Sequence, residues 1–86
     1  MNYLHYDYPY LSAGTTIEIK LDKQANVRLL DDSNFQNYHN GLKYNFYGGL
    51  VTSSPFYLKV PFNGKWHLAI DLGGYAGTVN ATVHVI

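Results

Sequence analysis

The sequence predicts an all-β protein: a single antiparallel β-sandwich of about eight short strands with one short helix, one domain over residues 1–86. Three observations predict it. Apolar and polar residues alternate with a period of two, most clearly where Trp66, Leu68, Ile70 and Leu72 fall on one face and His67, Ala69 and Asp71 on the other. Turn-forming residues recur roughly every 8–12 positions, the spacing of a sandwich or barrel. Hydrophobic residues make up 47% and aromatics 16%. That is enough for a core, although so short a chain buries only a little over ~60% of its unfolded surface.

The elements follow in order. Tyr3 to Tyr8 reads as a first strand, ended by Pro9. Ile17, Ile19 and Leu21 alternate with Thr16, Glu18 and Lys20 in a second. A polar turn at 22–24 leads into a third strand, Ala25 to Leu30, with Val27 and Leu29 facing one way. Ser33 and Gln36 then have capping-box spacing, and Gly41 suits a helix end, so residues 34–40 read as one or two helical turns. Leu42, Tyr44 and Phe46 alternate as a fourth strand, and Gly48-Gly49 reads as a tight turn before a short strand at 50–52. Phe56, Leu58 and Val60 form the next, with Asn63-Gly64 as a hairpin signal. Trp66–Leu72 and the Val79, Ala81, Val83, Val85 series are the last two, joined by a loop containing Gly73, Gly74 and Gly77. The expected core is Ile17, Ile19, Val27, Leu29, Phe46, Leu58, Val60, Trp66, Leu68, Ile70, Val79 and Val83.

Composition excludes several functions. Lys+Arg equals Asp+Glu at six each, so nucleic-acid binding driven by phosphate neutralisation is not expected. The same balance argues against a polybasic membrane anchor and leaves little repulsion against homo-oligomer formation. With no cysteine there is no disulfide, thiolate metal site or thiol nucleophile. The N-terminal residues lack a basic region and a continuous apolar run, so the expectation is a cytoplasmic protein without signal peptide or membrane span. The nine tyrosines are more phenols than a small core satisfies, which places some hydroxyls at a surface or a site.

Three segments carry a family resemblance: Asn26 to Tyr38, Tyr47 to Pro55, and Trp66 to Gly77. Together they resemble small bacterial domains catalogued as domain of unknown function family 1883. The resemblance covers essentially the whole chain, and the third segment is its most specific part. It implies a compact β-sandwich with no assigned activity. Related domains occur fused to TIR domains, the NAD-consuming modules of bacterial immunity. The resemblance thereby implies a sensing or recognition role in bacterial or phage defence signalling.

If consecutive strands run up and down, loops 9–14, 31–42, 53–55 and 73–77 collect at one end, and 22–24, 48–49 and 62–65 at the other. The first set is longer and more polar, and binding residues concentrate on such loops. The candidate ligand-binding residues are therefore Asp32, Asn34, Tyr38, Ser54 and Tyr75. Each has a plainer reading. Asp31, Asp32 and Ser33 can simply cap the helix. Tyr38 can pack on the sandwich edge. Tyr75, between Gly74 and Ala76, either stacks on a base or sugar or staples its loop down. Asp32 and Asn34 superficially resemble a calcium loop but lack its Gly and bidentate Glu.

Catalytic signatures are thin. The four histidines show no metal-ligand spacing along the chain, so no metal or cofactor is expected. His67 and Asp71 share a strand face but lie roughly 13 Å apart, too far for a dyad. The expected function is non-catalytic recognition of a small nucleotide- or sugar-like ligand. The competing reading is a protein–protein or self-assembly module.

Overall fold

Alternation in the sequence becomes two sheets packed face to face, with a helix on the outside of the larger one. The computed structural model describes residues 3–86. Its strands are β1 (Tyr3–Leu11), β2 (Thr16–Leu21), β3 (Ala25–Asp31), β4 (Tyr47–Val51), β5 (Phe56–Lys59), β6 (Gly64–Asp71) and β7 (Ala81–Val85), with helix α1 (Asp32–His39) between β3 and β4. Sheet order is β1-β6-β3-β4 in one layer and β5-β2-β7 in the other, and all pairs are antiparallel. Except for β3 to β4, every strand connection passes from one sheet to the other. The predicted all-β sandwich with one short helix is therefore the observed class.

The core between the sheets is built by the residues whose alternation predicted it. Ile17, Ile19, Val27, Leu29, Trp66, Leu68 and Ile70 are fully buried and Val60 nearly so. Leu58, Val79 and Val83 pack against this cluster from its partly buried rim. Phe46 does not belong to it. It is 40% exposed and lies over the Arg28 guanidinium, 5.2 Å from its ring centroid, on the far side of the larger sheet. A second, smaller core of Leu30, Phe35, Tyr38 and Ala69 fills the space between that sheet and α1. β6 is covered on both faces, which is why every residue from Trp66 to Asp71 is buried.

Helix α1 starts two residues earlier than the capping-box spacing predicts. Asp31, not Ser33, is the N-cap, and its carboxylate accepts from the Asn34 backbone N–H at 2.9 Å. This satisfies a backbone donor that the first helical turn leaves unpaired. Gly41, at φ 73°, ends the helix as expected.

The larger correction concerns residues 42–49. Leu42 to Phe46 form no strand despite their alternation, and Gly48-Gly49 is no turn. Both glycines lie inside β4, opposite Arg28 and Val27. A Cβ on Gly48 would collide with the Val27 carbonyl oxygen, which explains glycine inside a strand. Seven strands result among the described residues instead of eight, and every later loop changes ends. Asn63-Gly64 likewise joins strands of different sheets rather than a hairpin. Loop 72–80 lies beside turn 22–24, where the Asp22 carboxylate accepts from the Asn80 backbone N–H at 2.9 Å. Loop 52–55 is at the same end, while 12–15, 31–32 and 60–63 are at the opposite one.

Candidate functional site

Strand pairing places the polar residues of three strands on one face. Tyr3 stands opposite Asp71, His5 opposite Ala69 and Asp7 opposite His67, while β3 sets Asn26, Arg28 and Leu30 beside the same three positions of β6. Because side chains alternate across a strand, all of these share the side facing away from the sheet–sheet core. Helix α1 lies over them. Its start touches His67 through Asp32, and its end reaches Tyr3 through His39.

One polar group centres on Asp71, which is 1% exposed. Its carboxylate accepts from Asn26 Nδ2 at 3.0 Å, the Tyr38 hydroxyl at 2.7 Å and the Gly73 backbone N–H at 2.8 Å, and it pairs with the Arg28 guanidinium. Burial works to raise its pKa. The bonds from Asn26, Tyr38 and Gly73 and the Arg28 charge outweigh burial, and its pKa sits below the ordinary carboxylate value. Tyr38 is shifted the other way: burial, then the bond to Asp71, push its phenol well above the usual tyrosine range. The Asp71 carboxylate is saturated with partners while the buried Arg28 Nε has none, and the cluster locks helix to sheet.

The second group is a chain of side chains at the other end of the helix. His5 Nε2 lies 2.8 Å from His67 Nδ1, and His67 Nε2 lies 2.8 Å from Asp32 Oδ1. Asp7 Oδ1 is 3.5 Å from His67 Nδ1, and Lys65 Nζ is 3.7 Å from Asp32. The bond from His67, with Lys65 nearby, holds the Asp32 carboxyl below its ordinary pKa. Burial and then the neighbouring His67 lower the pKa of His5. Phe35 covers both imidazoles, with centroids 4.3 Å from His5 and 4.1 Å from His67.

A cleft of about 680 Å³ opens at the end carrying loop 72–80. Tyr3, Leu4, Ile70, Leu72, Tyr75 and Val79 are among its walls. A smaller recess of about 300 Å³ adjoins it across Tyr3, between Tyr38, His39 and Tyr44.

The structure separates the sequence-predicted site residues. Asp32 and Asn34 belong to the start of α1, at one end of the sandwich. Ser54 and Tyr75 belong to the loops at the opposite end. Asn34 is occupied: its Oδ1 accepts from the Asn45 backbone N–H at 2.8 Å and its Nδ2 donates to Asp31 at 3.0 Å. Ser54 pins its loop to β2, accepting from the Leu21 backbone N–H at 2.8 Å and donating to the Leu21 carbonyl at 3.3 Å. Tyr38 is buried against Asp71. Tyr75 alone of the five stands free, 83% exposed at the mouth of the larger cleft. Lys23, expected at the end opposite Tyr75, is in the turn beside its loop.

Sequence reasoning missed His5, Asp7 and Arg28. His5 and His67 are 62 positions apart, so no local spacing could pair them. The available signal was weaker: His5 and Asp7 alternate on one face of β1, and His67 is on the polar face of β6.

The molecule is thus a small β-sandwich domain with a helix-covered polar face and an open cleft at one end. A family model described as Domain of unknown function (DUF1883) matches residues 1–86, and the chain belongs to that family. No curated protein and no solved structure matches it.

Proposed function

We propose that this chain is a non-catalytic recognition domain whose cleft beside loop 72–80 takes a small nucleotide- or sugar-like ligand. The observation supporting this is Tyr75, an unshielded aromatic ring at the mouth of a cleft of about 680 Å³. That volume lies within the ordinary range of small-molecule sites, roughly 300–1,000 Å³. Gly73, Gly74 and Gly77 flank the ring with positive φ, and Gly74 faces open space that a ligand can approach. A free tyrosine offers a stacking face to a base or sugar without an ordering cost in the rest of the fold. In the biological setting that the TIR-fused relatives suggest, the domain would act in the bacterial cytoplasm. There it senses or sequesters a defence signal.

Calorimetric titration of a nucleotide and sugar panel, including cyclic and ADP-ribose-type compounds, tests this reading. Tyr75→Ala should weaken binding about 5- to 150-fold, equivalent to the loss of one stacked base at about 1–3 kcal/mol. Lys59→Ala, at the opposite end, should leave it unchanged. Binding sensitive to Lys59 and indifferent to Tyr75 refutes the site.

A second reading, self-assembly, is favoured by the exposed Leu42, Tyr47 and Leu50 on and beside the edge strand β4. It predicts a dimer or larger species in light scattering, reduced to monomer by Leu50→Lys. No binding by any panel member would favour it.

A further inference from the structure

We propose that His5, Asp7 and His67 form a binding site for one divalent late first-row transition-metal ion, with Zn²⁺ as the reference ion. The three residues each offer a ligand atom, and these atoms lie within 4.8 Å of one another. His5 Nε2 and His67 Nδ1 are 2.8 Å apart, and His67 Nδ1 and Asp7 Oδ1 are 3.5 Å apart. An ion about 2.0–2.2 Å from nitrogen and oxygen donors sets neighbouring donors roughly 2.9–3.4 Å apart, between right-angle and tetrahedral geometry. The two separations to His67 Nδ1 lie close to that range, and the His5–Asp7 pair is within 4.8 Å.

The orientation of the rings supports the same assignment. Asp32 accepts from His67 Nε2 at 2.8 Å, which places the ring proton on Nε2 and leaves Nδ1 with a bare lone pair facing His5 and Asp7. A carboxylate behind a histidine is the usual support of a metal-bound imidazole: it fixes the tautomer and raises ligand basicity. Phe35 lies parallel to both rings, within 14° of His5 and 10° of His67, and the imidazoles are within 24° of each other. Imidazole lone pairs lie in the ring plane, so the two nitrogens aim into one layer. Without the ion, His5 Nε2–H donates to His67 Nδ1. The ion takes the place of that proton, which moves to His5 Nδ1 with no net loss.

Two nitrogens and one carboxylate suit zinc and its first-row neighbours better than calcium or magnesium, which prefer oxygen donors throughout. The Asp7 side chain is 54% exposed, so the site opens to solvent on that side. Three protein ligands leave coordination positions there for water or an exogenous donor.

The test titrates Zn²⁺ into the full chain, freed of any histidine tag, and reads Co²⁺ d–d absorption in parallel. One ion should bind per chain, with cobalt bands of a four- or five-coordinate site. Asp7→Asn and His5→Ala, both at exposed positions, should each weaken binding at least tenfold and dissolve the cobalt bands. Asp32→Asn should weaken binding about 10- to 100-fold through loss of the support to His67. His84→Ala, on the smaller sheet, should bind as the parent does. Circular dichroism of each variant confirms the fold. Failure of the parent to bind one equivalent overturns the proposal, and so does unchanged affinity in the His5→Ala/Asp7→Asn double variant.

Discussion

The Tyr38 hydroxyl donates to Asp71 Oδ2 across 2.7 Å and so fastens helix α1 to the last residue of β6. The same carboxylate holds Asn26 and Arg28 of β3 and the first residues of loop 72–80. One side chain thereby joins the helix, two neighbouring strands and a wall of the cleft.

Tyr38→Phe should lower the unfolding free energy by about 1.5–3 kcal/mol, the usual worth of a hydrogen bond to a charged group. The ring stays to fill the smaller core, so the loss is confined to the hydroxyl. Urea denaturation measures it, and an unchanged midpoint would show that the bond adds nothing.

Asp71 gives the protein an acid-sensitive term. Its folded pKa lies below its unfolded value, so the unfolded chain protonates first as pH falls. Its stabilisation is fully present above the unfolded pKa of about 3.9 and disappears as pH drops through the folded value. Asp71→Asn should flatten the stability profile in that range. At neutral pH it should cost about 3–5 kcal/mol, because Arg28 is left without its counter-charge. Thermal melts across pH, parent against variant, give both quantities.

Ile70→Ala should destabilise by about 2–5 kcal/mol, since Ile70 is fully buried between the sheets and truncation leaves a cavity. Chemical denaturation reads the loss directly. A variant as stable as the parent would contradict the packing described.

Gly48→Ala tests the reassigned segment. In a tight turn the substitution would be mild. Within β4 the new Cβ meets the Val27 carbonyl oxygen, and φ is 120°. Strain at such a backbone position costs on the order of 1–3 kcal/mol before the collision is counted. Amide exchange should show the β3–β4 pairs opening faster than those of β3–β6.

The face pattern of each strand was legible because burial and alternation report the same thing. Trp66, Leu68 and Ile70 point into the core as their spacing says. Leu42, Tyr44 and Phe46 mislead for a physical reason. They alternate like a strand, yet Tyr44 and Phe46 pack on Tyr38, on each other and over Arg28 instead of pairing with a neighbouring strand. That one misreading moved Ser54 and Tyr75 to the wrong end. The helix-covered face was illegible for another reason. Its members come from β1, β3 and β6, and only the order β1-β6-β3 makes them neighbours.

That strand order also governs how the chain reaches its fold. Among the described residues β6 is the only strand paired with β1 and the one that joins it to β3, yet it is the sixth strand in sequence. Until residues 64–71 have left the ribosome, β1 has no sheet neighbour and the polar face has no middle row. Contacts so distant in sequence must close long loops before they return any energy, which slows folding. Until β6 is made, the nascent chain therefore holds β3 paired on its β4 side alone and β1 with no sheet partner, leaving apolar strand surface uncovered.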